Sequence, residues 1–155
     1  MVPELQKLSV ADQELMLHAP MLVAVLVAGA DSKIDRSEWK QAIQVARKKR
    51  KSVRPSLDMF YAEAYADFED KLKVLMQTLP KDATERTAVL SQELSRLNQV
   101  LPQIDNAFAM EFYRSLLNMA ASIAESSGGL LGIMSVGKGE SKLMGLTMIE
   151  DPARR

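Results

Sequence analysis

The chain contains no cysteine, which excludes disulfides and thiolate metal sites and leaves the redox compartment open. It has one histidine, His18, so a histidine base is nearly absent from its catalytic inventory. An excess of either charge is missing too. Twenty basic side chains meet twenty acidic ones, which gives no global reason to expect nucleic acid or an anionic membrane as a partner. The apolar run at residues 21–30 falls well short of the ~20 residues a bilayer needs, and so reads as a buried core helix. No basic segment followed by an apolar one opens the chain, so no signal peptide is expected. Nor is there a sustained period-two stretch that would read as a strand.

What is present is helical periodicity in a chain of 155 residues, 47% apolar and 26% charged. That length suits one domain with a real core, spanning 1–155 and ordered over about 9–150. Ser9 and Asp12 cap a short first helix ending near Ala19. Pro20 suits the first turn of a second helix, which is apolar on every side and therefore belongs in the middle of a bundle. Asp35 and Glu38 have capping-box spacing ahead of Trp39, Ala42, Ile43 and Ala46. Leu57, Phe60, Ala64, Phe68, Leu72, Leu75 and Leu79 predict one helix of about six turns, ended by Pro80. Asp82 and Glu85 repeat the capping box, and Leu90, Leu94, Leu97 and Leu101 follow until Pro102. Phe108, Phe112, Leu116, Met119 and Ile123 line a further helix. A glycine-punctuated loop then leads to a last helix over 140–149 and a tail, 151–155, expected to fray. The fold class is all-α: a compact bundle of about six to seven helices, in which two helix–loop–helix corners echo each other as pseudo-repeated halves.

The corners carry the chemistry. Asp31, Asp35 and Glu38 place three carboxylates in one short loop and helix start, and Glu125 and Glu140 flank the second corner. Clustered carboxylate oxygens suit hard cations such as Ca²⁺ or Mg²⁺. Zn²⁺ prefers nitrogen or sulfur, and His18 lies in another segment. An EF-hand loop counted from Asp31 would need other residues where Lys33, Arg36 and Ala42 stand. Lys33 and Arg36 are able to neutralise the carboxylates without a metal, and helix capping by Asp35 and Glu38 is the plainer explanation.

The pattern Ala-Asp-x-x-Ile-Asp-x-x-Glu at residues 30–38, after an apolar helix, resembles the TerB-like (tellurite-resistance protein B) family. So does the second corner, from Ile123-Ala124-Glu125 to Glu140. The resemblance implies an all-helical domain with pseudo-twofold halves, an acidic metal-binding surface, a stress-response role and membrane-associated partners. Asp31, Asp35 and Glu38 match the first acidic motif, and Glu125 and Glu140 match the second. Ser127 stands where that family usually has aspartate, and Gly129 begins an insertion.

Other features invite plainer readings. Residues 132–139 approach the P-loop pattern, but Gly139 replaces the hydroxyl that would hold Mg²⁺, and a helix rather than a strand precedes it. The basic run from Arg47 to Arg54 fits a helix C-terminus, where the dipole favours cations. Glu63 and Asp67 are four apart, as helical carboxylate ligands can be, and also as like charges on a solvated face are. Nucleophile-elbow, HExxH and GxGxxG patterns do not occur. The expectation is a cytoplasmic, non-enzymatic binding domain that takes a divalent cation or a protein partner at the acidic corner. Homo-oligomerisation fits the same sequence. The alternative is a helical enzyme or nucleotide-binding domain that uses the 132–139 loop and Lys138.

Overall fold

The periodicity and capping signals dictate helices, and the computed structural model is built from them. It describes residues 2–28, 55–128 and 145–154, with 125–128 described by backbone alone. Among these residues there is no strand, and five helices have ten residues or more. Of the corners on which the pseudo-repeat rests, only the incoming helix ends, residues 26–28 and 122–128, are described, and the loops and the helix starts at Glu38 and Glu140 lie outside the described residues.

Helix α1 spans Val10–Ala28. Ser9 caps it as expected, with its Oγ accepting from the Asp12 N–H at 3.2 Å. The two helices expected to meet at Pro20 are one, with Pro20 inside it. An interior proline loses a backbone hydrogen bond and crowds the preceding turn, at a cost of about 3 kcal/mol. Every residue from Ala19 to Ala28 is buried. Each large aliphatic side chain so buried returns about 1.5–3 kcal/mol, so packing outweighs the break. Because it runs through Pro20, α1 reaches 19 residues with a mean hydropathy of 1.4, enough by length and composition to cross a membrane. In this fold the other helices cover it instead.

Five more α-helices follow among the described residues. They are α2 (Pro55–Ala64), α3 (Phe68–Thr78), α4 (Ala83–Ser95), the single turn α5 (Leu97–Val100) and the long α6 (Asn106–Gly128). Helix α1 packs against α6 most extensively, then against α4 and α2. One apolar cluster joins all of them. The expected helix from Leu57 to Leu79 is divided between α2 and α3. Tyr65, Ala66 and Asp67 turn between the two, and Asp67 takes a left-handed conformation with φ 54°. Aspartate tolerates that region better than most residues do. Asp82 caps α4 as expected, accepting from the Glu85 N–H at 2.9 Å. Asp105 caps α6 in the same way, accepting from the Phe108 N–H at 3.0 Å.

Phe60 and Tyr61 of α2 gather with Phe108 and Phe112 of α6. Phe60 meets Tyr61, Phe108 and Phe112 edge-to-face. Ser115 gives its only proton to the Phe112 carbonyl, so the Tyr61 hydroxyl donates to Ser115 Oγ. This buried pair links the two helices in a direction that the apolar contacts do not specify.

Both ends of the described chain fold onto the bundle. Val2, Leu5 and Leu8 are buried, and Ser56 Oγ donates to Glu4 Oε2 at 2.6 Å. The last helix expected over 140–149 is a turn over residues 145–149, the part of it that is described, with Leu146 at φ 45°. The tail expected to fray forms a short 3₁₀ turn, Pro152–Arg154, with Pro152 buried against the bundle. Asp151 holds this turn, its Oδ1 accepting from the Ala153 N–H at 2.9 Å.

The docked tail affects Tyr113 on α6. Burial pushes its phenol above the ordinary tyrosine value, Asp151 adds to the rise, and Arg154 opposes it. A group whose folded pKa is raised contributes stability that is complete below its unfolded value. That stability is lost as pH climbs through the folded value. Tyr113 therefore contributes fully below about pH 10 and loses its contribution above it. Urea midpoints taken from about pH 8 to 11 should fall more steeply in the wild type than in Tyr113→Phe. Parallel curves would show that the phenol does not couple to folding.

Candidate ligand groove

Helix α3 is the most lightly attached long element. Leu72 is its one buried residue, while Phe68, Leu75 and Met76 are partly covered. The turn at 65–67 directs α3 away from the line of α2, and residues 79–82 then bring the chain back into α4. Between α1, α3 and α4 lies a half-open groove of about 680 Å³. Its floor is aliphatic: Leu15 and Leu22 from α1, Leu75 and Leu79 at the end of α3, and Leu90 from α4.

The groove has apolar lips. Four large hydrophobic side chains are markedly exposed among the described residues. Two of them, Val74 at 60% and Val89 at 44%, stand on the α3 and α4 walls. A third, Val10, directly precedes Ala11, which lines the α1 side. Scattered exposed valines need no explanation, but a pair continuous with an aliphatic floor marks a surface able to take an apolar ligand.

Charges of both signs stand on the rim. Asp70 and Lys71 lie in the first turn of α3, and Glu93 and Arg96 at the far end of α4. Arg96 Nη1 donates to Glu93 Oε1 at 2.6 Å. On the α1 wall stand Glu14 and His18, both exposed and one helical turn apart. His18 thus lies on a groove wall within α1 and not at a helix junction.

Asp31, Asp35, Glu38 and Glu140 lie outside the described residues, as do the basic run from Arg47 and the 132–139 loop with Lys138. Glu125 is placed on the last turns of α6 by its backbone, and its side chain lies outside the described residues. Among the described residues, no group of three or more histidine, aspartate or glutamate side chains is arranged to hold a metal ion. Glu63 and Asp67 are not one turn apart on a helix, because α2 ends at Ala64 and Asp67 occupies the turn beyond it.

No protein-family model, curated protein or solved structure matches the chain. The groove was not singled out from the sequence, although a signal was present. Val74 and Val89 fall off the helical phase set by Leu72, Leu75 and Leu79 and by Leu90, Leu94 and Leu97. An apolar residue out of phase on a helix otherwise polar on that side hints at a second apolar face.

Proposed function

We propose that this chain is a non-enzymatic binding domain and that its ligand lodges in the groove between α1, α3 and α4. The observation that carries the reading is the continuity between the leucine floor, buried except for the partly covered Leu75, and the exposed Val74 and Val89. The volume falls within the ~300–1,000 Å³ typical of small-molecule sites. A lightly held α3 suits the role, since binding elements are drawn from the less stable parts of a fold. The test is calorimetric titration with 1-dodecanol against wild type and a Val74→Lys/Val89→Lys variant. Wild type should bind, and the variant should bind at least about tenfold more weakly, the loss expected when about 1.4 kcal/mol of apolar contact is removed. Both substitutions are at exposed positions, so the fold should survive them. Absence of binding to wild type, or equal binding to both proteins, would end this reading.

A second proposal concerns the acidic corner. Three carboxylates within eight residues, Asp31 to Glu38, support capture of a divalent cation there, or presentation of negative potential to a protein partner. Glu125 and Glu140 would add charge in the TerB-like arrangement that the motif resembles. Titration with Ca²⁺, Mg²⁺ and Zn²⁺ should give binding that Asp31→Ala abolishes. The same heats from both proteins, or none from either, would remove the cation version.

A further inference from the structure

We infer that the groove takes a single-chain aliphatic amphiphile with a zwitterionic head group. The inference rests on the groove's being a binding site and adds what binds there.

The body of the ligand follows from the lining. Leucine, valine and methionine side chains supply the apolar surface, and no phenylalanine, tyrosine or tryptophan lines the groove among the described residues. Nucleobases and other flat rings are usually held by stacking on aromatic faces. Here the one ring is the small imidazole of His18 on the α1 wall, and a flexible hydrocarbon chain conforms to the aliphatic side chains that make up the rest. The half-open shape lets one end of the chain stay in water.

The head group follows from the arrangement of charge. Each of two walls presents one carboxylate and one cation: Asp70 with Lys71 on α3, and Glu93 with Arg96 on α4. All four stand at the ends of their helices farthest from the turn at 79–82, whereas Thr78 and Leu79 stand beside that turn. A purely anionic head placed there would face Asp70 and Glu93, and a purely cationic one would face Lys71 and Arg96. A head carrying both charges meets both. Its cation lies toward the carboxylates and its anion toward Lys71 and the guanidinium, which has five N–H donors and is not exhausted by Glu93.

The experiment uses the full-length protein and monomeric dodecylphosphocholine, compared by calorimetry with dodecanoate, dodecyltrimethylammonium and 1-dodecanol. The zwitterion should bind about tenfold or more tightly than each of the others, a difference of about 1.4 kcal/mol. Lys71→Gln and Asp70→Asn should each remove most of that preference, weakening the zwitterion far more than 1-dodecanol. If all four probes bind alike and Val74→Lys/Val89→Lys weakens them together, the groove is a site and the head-group inference fails. A preference for the anion or the cation alone overturns it equally. If none of the probes binds, the groove reading itself falls. If light scattering shows a dimer that Val74→Lys/Val89→Lys makes monomeric, the groove is a self-association surface and the amphiphile inference is overturned.

Discussion

Replacing Phe60 by alanine is expected to lower the unfolding free energy by about 3–5 kcal/mol. Phe60 is fully buried, and its ring centroid lies 5.2 Å from that of Tyr61, 6.5 Å from Phe108 and 5.3 Å from Phe112. All three contacts are edge-to-face, the geometry in which the positive edge of one ring meets the negative face of another. Two of the partners sit one helical turn apart on α6, so Phe60 is the side chain that fixes α2 against it. Truncation would leave a cavity between helices whose spacing is also held by Tyr61 and Ser115, so collapse would be incomplete and the cavity penalty large. For a domain whose whole stability is about 5–15 kcal/mol, that is a substantial fraction. Phe60→Leu keeps much of the volume and should lose less, giving a folded variant should the alanine form be too weak to study. Met59, next to it in sequence and half exposed, provides the control: Met59→Ala should stay within about 0.5 kcal/mol. Urea unfolding of the three variants gives the ranking. Equal losses at positions 59 and 60 would mean that the aromatic cluster does not hold α2 in place.

Phe60, Phe108 and Phe112 also show what could be read from the chain without coordinates. They lie in phase on their helices, and period 3.6 alone assigns them to the core. The same logic placed residues 21–30 in the middle of the bundle, because a helix apolar on every side must be covered, and 21–28, the part of it that is described, are buried. The caps at Ser9 and Asp82 were legible for a local reason, since a short oxygen-bearing side chain before an apolar run satisfies backbone N–H groups within three residues.

The breaks were not legible, because periodicity is blind to them. Phe68, Leu72 and Leu75 stay in phase with Leu57, Phe60 and Ala64 across the turn at 65–67, so a change of φ at a single aspartate left no trace in the pattern. At Pro20 the local rule was strong and gave the wrong boundary, because tertiary burial of the residues after it outweighed the lost hydrogen bond. The groove escaped for a third reason. It depends on how far α3 stands from α1 and α4, a distance set by a turn and not by either helix's composition. The acidic corner, the feature most conspicuous in the sequence, gains no geometry from the described residues and stands on its spacing alone.

The turn that includes Leu146 depends on one amide in the same way that α2 depends on one ring. Asn98 Nδ2 donates to the Met148 carbonyl at 2.9 Å, and Asn98 Oδ1 accepts from the Glu150 N–H at 2.6 Å. Both ends of the side chain are used, and only one orientation of the amide satisfies both partners, so the pairing fixes register as well as contact. Around it, Leu146 and Ile149 are buried, and the Ile149 N–H closes a turn onto the Leu146 carbonyl at 2.9 Å. Leu146 pays for this with a left-handed backbone, a conformation disfavoured for a non-glycine residue by about 1–2 kcal/mol. Two hydrogen bonds of about 1 kcal/mol each, together with the apolar burial, offset that strain. Asn98→Ala removes both bonds and should cost about 2–3 kcal/mol, with the Glu150 amide losing its protection from hydrogen exchange. Proteolysis should begin within 145–150 before the α1–α6 core opens. If Leu146 and Ile149 hold the segment by burial alone, the variant will lose under about 0.5 kcal/mol and exchange at Glu150 will not change.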